Sequence, residues 1–314
     1  MVKKIPVGVI GVGYLGLRHA QTYKQLPQAE LVAISDIDEH RLKEASSTLN
    51  VNSISQYRTL FSKVKAVSIA TPTITHYEIA KDCLRHGIDV LIEKPITTGL
   101  VDAASLIKLA QKNKLILQVG HVERFNSAFL AVSKIAKHPR FIECHRLSPF
   151  PGRSLDIGVV EDLMIHDIDI ILGLVKSEIK EISAVGVNVL TPFEDIANAR
   201  LVFKDGCVCN LTASRISDEP MRKFRIFLED TYISLDYKNQ AADVYKKIGG
   251  KIHKTQLPVE KDQHPLKREL HSFLDCVASR QCPTVSGIEA FKALSVALKI
   301  KEKIRRNIEK SGRK

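Results

Sequence analysis

The 314-residue chain contains no tryptophan, only seven tyrosines and eleven phenylalanines. No stretch interleaves those aromatics with arginines, which argues against a surface on which nucleic-acid bases stack. Its six cysteines, Cys83, Cys144, Cys207, Cys209, Cys276 and Cys282, form no C-x-x-C pair. The usual zinc and redox spacings are therefore absent, and reduced thiols in a cytoplasmic protein are the simplest expectation. No apolar run reaches the roughly 18 residues of a membrane span. The apolar opening is broken by close glycines and lacks a small-residue cleavage pattern, so it reads as a buried strand and turn.

What is present is globular stock, 44% hydrophobic and 26% charged, which suffices for two cores of roughly 120 to 190 residues each. The formal net charge is +12, and residues 299–314 supply half of it, with eight Lys or Arg against two acids. A basic end of this kind reads first as a solubilising surface; contacts with an oligomer partner, a membrane surface or nucleic acid are the alternatives. The excess suits an anionic substrate without identifying one.

Short apolar runs alternate with helical patterns over the first 120 residues, predicting a parallel sheet covered on both faces. Strands are expected over residues 5–10, 31–35, 66–70, 89–92 and 115–119, and helices over 14–25, 39–49, 75–86 and 103–112. Gly11-Val12-Gly13-Tyr14-Leu15-Gly16 joins the first strand to the first helix. Gly11 suits a tight turn, Gly13 lets a pyrophosphate approach backbone N–H groups, and Gly16 lets helix and strand pack closely. Asp36 follows the second strand, where its carboxylate can accept from ribose hydroxyls. With Ile37 next to it, NAD is favoured over NADP, although Arg41 is near in sequence. The alternative is a tight turn that binds nothing. Thr71-Pro72 follows the third strand and His76 the start of the next helix, where it either serves the cofactor or caps and packs. Glu93-Lys94-Pro95 follows the fourth strand; Pro95 biases Lys94 toward an extended backbone that can aim its amine into a cleft, and an ordinary surface lysine is the alternative.

After residue 122 the pattern changes to alternating runs over 142–146, 179–187, 197–203, 208–213, 225–227 and 232–235, which read as a mixed or antiparallel sheet. Helices are expected over 127–135, 160–174, 266–278 and 288–303. The domains are thus expected at 1–122 and 123–314. In the 160–174 helix, Asp162 and His166 stand four residues apart and share a face, while Met164 and Ile165 read as core. A histidine beside a carboxylate can exchange a proton near neutral pH; a structural surface pair is the alternative. No metal site is expected.

Taken in order, the glycine turn, Thr71-Pro72 with His76, Glu93-Lys94-Pro95, Asp162-x-x-x-His166-x-x-Asp169 and Pro283-Thr284-Val285-Ser286-Gly287 resemble the glucose–fructose oxidoreductase and inositol dehydrogenase family. The resemblance spans nearly the whole chain. It implies a Rossmann domain binding NAD through Gly11, Gly13, Tyr14, Leu15, Gly16, Asp36, Thr71, Pro72, His76, Glu93 and Lys94. It also implies an α+β domain with an open mixed sheet that mediates homodimer or homotetramer formation, and a catalytic set of Lys94, Asp162 and His166. Met164 stands where that family often has glycine. Gly120 to Asn126, His145 to Phe150 and Thr212 to Arg215 resemble the branch of UDP-N-acetylglucosamine 3-dehydrogenases, which work with a sugar aminotransferase in making lipid A. That branch implies a sugar-nucleotide substrate, with Arg124, Arg146 and Arg215 as candidates for its diphosphate or sugar; each reads equally as a structural or surface arginine. Oxidation of another sugar or an inositol is the enzymatic alternative, and a nucleotide-binding regulator the non-enzymatic one.

Overall fold

The computed structural model describes residues 4–150, 157–260 and 264–311, and it divides into two compact units. The first is built from β1 (Ile5–Ile10), α1 (Tyr14–Gln25), β2 (Ala29–Ser35), α2 (Glu39–Leu49), β3 (Asn52–Ile54), β4 (Ala66–Ile69), α3 (Thr73–Arg85), β5 (Asp89–Glu93), α4 (Leu100–Lys112) and β6 (Leu117–Gly120). All six strands run parallel in the order β3-β2-β1-β4-β5-β6. Every residue of β4, β5 and β6 is buried. That explains why these strands read as continuous apolar runs instead of alternating ones. The strand order reverses between β1 and β4, so the loops after those two strands open a crevice at the carboxyl edge of the sheet. Five strands were expected; the extra one, β3, is three residues long, too short for a period-two signal.

The second unit contains α5 (Ser127–Ile135), β7 (Phe141–Leu147), a π-helical turn (Val160–Met164) continuing into α6 (Ile165–Leu174), and seven further strands. These are β8 (Ile179–Val187), β9 (Ile196–Phe203), β10 (Val208–Ser214), β11 (Met221–Phe227), β12 (Thr231–Asp236), β13 (Ala241–Ile248) and β14 (Lys251–Gln256). The sheet order is β14-β13-β12-β11-β7-β10-β9-β8. Only β7 and β10 pair parallel; the rest pair antiparallel, so the sheet is mixed and open. One face carries the core, where Ile142, Cys144, Phe224 and Ile226 meet Ile168, Ile171, Ile300 and Ile304. The sequence reading did not include β13 or β14; β14 is exposed at every position and so carries no buried-face pattern.

The expected second domain, 123–314, requires a correction. Helices α7 (Pro265–Ser279) and α8 (Gly287–Ser311) close the chain, and His264–Phe291 belongs with residues 4–122, whereas Lys292 onward belongs with the second unit. The reason is the apolar stripe of α7. Leu266, Leu270, Phe273, Leu274 and Val277 pack with Ala20, Tyr23 and Leu91 in the core of the first unit. A stripe at helical spacing predicts burial, but not which core receives it. The basic end is helical to Ser311, and its last three residues lie outside those described. No described helix is long and apolar enough to cross a membrane.

Candidate active site

The glycine turn has the geometry its residue types predict. Gly11 sits at φ +85°, and a Cβ there would lie 2.7 Å from the Ala70 carbonyl oxygen. A Cβ on Gly16 would collide with the Gly11 carbonyl oxygen, so the helix can lie on the turn only without one. Around Gly13 the space is open, and no side chain caps the first turn of α1. The helix thus offers the backbone N–H groups of its first turn and a partial positive charge to a phosphate, with room for close approach. Asp36 ties this turn down, accepting from Val12 N–H at 2.8 Å through Oδ2 and from Asp38 N–H at 2.9 Å through Oδ1. Second lone pairs remain on both oxygens for ribose hydroxyls. Arg41 lies 3.6 Å from Asp36 Oδ2 and 3.3 Å from Asp38 Oδ2, so its charge is balanced by two carboxylates. Tyr14, Leu15, Ile37 and Ile74, which follow the carboxyl ends of β1, β2 and β4, are exposed apolar groups. These residues fit a dinucleotide.

Lys94 is half-buried and follows β5 directly. Its own N–H is 3.3 Å from Glu93 Oε2, while Glu93 Oε1 lies 3.0 Å from Nε2 of the fully buried His19 on α1. The carboxylate rests on Gly120, where a Cβ would stand 2.9 Å from Glu93 Cδ and Oε2. Burial raises the Glu93 pKa, but the hydrogen bond and charge of His19, with the charges of Lys94 and His76, outweigh it and hold the carboxyl below its ordinary value. Glu93 was expected at the cofactor; its oxygens are engaged by His19 and the Lys94 N–H. His19 was not singled out in the sequence. Its only signal is the one-turn spacing after Gly16 on the same helix. His76, another expected cofactor residue, is 1% exposed, with its ring nitrogens 2.9 Å from the carbonyl oxygens of Pro95 and Thr71.

The segment 161–169 carries four acids and one histidine, and tertiary contacts sort them. Glu161 pairs with Lys301, Asp167 takes two hydrogen bonds from Arg146, and Asp169 takes two from Arg124. All three acids are buried. Asp162 and His166 are the two that stand half exposed, while Met164 and Ile165 are buried in the core. Asp162 belongs to the π-helical turn and not to the regular α-helix that was expected. Both residues remain half exposed despite this change in pitch.

The three candidate substrate arginines are engaged by groups of the protein itself. Arg146 is 4% exposed, and its fork binds Asp167 at 2.8 and 3.0 Å and Glu123 at 2.9 Å. Arg124 binds the carboxylate of Asp169 at 2.6 and 3.1 Å and its carbonyl at 2.8 Å, with the guanidinium lying on Gly173. Arg215 is 1% exposed, donates to the Ile157 carbonyl and lies 3.5 Å from Asp195. Asp195 also accepts N–H groups from Val189, Leu190 and Thr191. Burial raises its pKa, but these bonds win and bring it down to about 2. Arg146 and Arg124 thus engage acids of their own unit and Arg215 a carbonyl of its own unit, which favours the structural alternative.

Comparison with known proteins agrees with this geometry. Residues 5–121 match the model of an oxidoreductase family with an NAD-binding Rossmann fold, and residues 138–234 match the GFO/IDH/MocA C-terminal domain. The UDP-N-acetylglucosamine 3-dehydrogenase of Acidithiobacillus ferrooxidans is 36% identical over 302 residues, 94% of this chain and 95% of that one. Its solved structure superposes with a TM-score of 0.91 at 35% identity, covering 96% of this chain and 98% of the other. The myo-inositol 2-dehydrogenase of Thermotoga maritima is 28% identical over 330 residues, 95% of this chain and 96% of its own. The glycine turn with its anchoring carboxylate, the lysine after β5 and the full-length likeness to these dehydrogenases show that the chain is an NAD-binding oxidoreductase of the GFO/IDH/MocA family.

Proposed function

We propose that the protein oxidises the C3 alcohol of UDP-N-acetylglucosamine, giving the 3-keto sugar nucleotide and NADH. The observation that carries the substrate is the 36% identity over 94% of the chain to a UDP-N-acetylglucosamine 3-dehydrogenase, against 28% to an inositol dehydrogenase of equal coverage. Lys94, Asp162 and His166 are the catalytic residues in this reading. Lys94 or His166 removes the hydroxyl proton, the Lys94 ammonium stabilises negative charge developing on that oxygen, and Asp162 orients or charge-balances the histidine. Bound NAD supplies the hydride acceptor. Gly13 and the first turn of α1 hold its diphosphate, and Asp36 holds its adenosine ribose.

A cytoplasmic homo-oligomer, feeding its ketone to a sugar aminotransferase in lipid A synthesis, completes the reading. A ketone beside an N-acetyl group is a substrate such a transferase needs. The test is a panel of UDP-sugars, free sugars and inositols with NAD, followed by absorbance, with the oxidised carbon mapped by NMR. UDP-N-acetylglucosamine oxidised at C3 is the expected result. An inert UDP-N-acetylglucosamine beside an oxidised inositol would overturn the substrate while leaving the family and cofactor in place.

A further inference from the structure

His76 has a geometry that neither cofactor contact nor simple packing explains. It lies on the first turn of α3 and is 1% exposed. Nδ1 stands 2.9 Å from the carbonyl oxygen of Pro95, and Nε2 stands 2.9 Å from that of Thr71. Both neighbours are acceptors only, so a neutral ring, with its single N–H, donates to one of them at a time. The ring stands between the loop after β4 and the loop after β5, and its Pro95 partner is one residue beyond Lys94. On the other side, Glu93 accepts from the Lys94 N–H. The Lys94–Pro95 unit is thus held from both ends, by a carboxylate and by an imidazole.

We propose that His76 is a positioning residue for Lys94, acting through an Nδ1–H donated to the Pro95 carbonyl, with no direct contact to the cofactor. The inference rests on the catalytic assignment of Lys94 made above. A neutral ring has one N–H, and the surroundings choose which nitrogen carries it. Pro95 is buried and Thr71 half-exposed. Solvent can replace the ring at the Thr71 carbonyl, whereas a bare Pro95 carbonyl has no substitute donor from water and costs the full desolvation penalty. Nδ1 therefore keeps the proton. Burial pulls the ring pKa below its ordinary value, opposed by the backbone of Pro95 and Thr71, the charge of Glu93 and the backbone of Ile96. The charge that acts on the ring is that of Glu93, with His19 bound behind it.

The test uses the full chain. His76→Phe keeps a flat ring and removes both contacts; NAD affinity by calorimetry should stay within about threefold. Single-turnover hydride transfer from UDP-N-acetylglucosamine should fall about 10- to 100-fold, the cost of a slightly misplaced group. His76→Asn, whose amide nitrogen can stand where Nδ1 does, should recover most of that rate. His76→Gln, whose amide nitrogen stands nearer the place of Nε2, should not. Parallel loss of NAD affinity and rate would make His76 a cofactor residue and overturn the proposal; so would equal rates in the Phe, Asn and Gln proteins, or a Phe protein as fast as the unmodified one. Should His76→Phe fail to fold, the 15N-histidine spectrum of the unmodified, sugar-free protein decides. A proton on Nδ1 near neutral pH supports the proposal, and a bare Nδ1 overturns it. Because this spectrum needs no substrate, failure to oxidise UDP-N-acetylglucosamine would sink the substrate reading and leave this inference to be judged separately.

Discussion

The two units use buried charge in opposite ways. In the first, the buried pair His19–Glu93 stands directly beneath the backbone of Lys94. In the second, the buried pairs Arg146 with Asp167 and Glu123, Arg124 with Asp169, and Arg215 with Asp195 lock scaffold elements together. A dense run of charged residues is thus not itself a site. In residues 161–169 the acids that look most conspicuous are mostly internal counter-ions, and the pair left half exposed, Asp162 and His166, is the one we propose for the chemistry.

That contrast is sharpest at the proposed catalytic groups. Lys94→Ala and His166→Ala should each lose about 10^2- to 10^4-fold in single-turnover hydride transfer, with NAD binding little changed by calorimetry. Near-normal transfer in both would remove them from the catalytic set. By comparison, Arg146→Ala should act on stability. It leaves Asp167 and Glu123 buried without their cation, and urea unfolding should show a loss of about 3–5 kcal/mol. An Arg146→Ala protein of unchanged stability that loses selectivity for the sugar nucleotide over the free sugar would return that arginine to the substrate site.

A third comparison lies within the first unit, between backbone and side-chain recognition. Gly13→Leu should obstruct the phosphate approach, and Asp36→Ala should cost about 1.5–3 kcal/mol of NAD affinity, the range for hydrogen bonds to a charged group. Titrations of both variants with NAD and NADP check this. Equal affinity of the unmodified protein for the two dinucleotides would break the assignment of Asp36.

The smallest effect, taken per pH unit, concerns Glu269 on α7, which is fully buried with neither carboxylate oxygen hydrogen-bonded. Burial first, and the charge of Glu93 second, push its pKa well above the ordinary carboxylate value. The folded chain therefore keeps a proton that the unfolded chain releases. The stability contributed by this group is complete below its unfolded pKa, near 4.3 for an ordinary Glu, and declines as pH rises toward the folded pKa. Between those two values the decline is about 1.4 kcal/mol per pH unit for one proton. Glu269→Gln should remove that slope, so its stability relative to the unmodified protein should improve from pH 5 to pH 8 in urea titrations. Parallel pH profiles would show that Glu269 is ionised in the fold.

Most of the first unit was legible because its function resides in backbone geometry that few residues can adopt. Gly11 at positive φ and Gly16 against the Gly11 carbonyl leave no room for a side chain, so residue type reports conformation directly. The order of strands and helices and the dinucleotide-binding turn follow from patterns that are local along the chain. The partners of the charged groups do not. The sequence distance from Glu123 to Arg146 is 23 residues, from His19 to Glu93 it is 74, and the main chain of Glu269 meets Gln118 across 151. The return of α7 to the first core is of the same kind. Periodicity determined which faces are apolar and residue chemistry which atoms can give or take a proton. Only the tertiary structure decided which faces and charges meet, because burial energy depends on area removed from water and not on the order in which the chain supplies it.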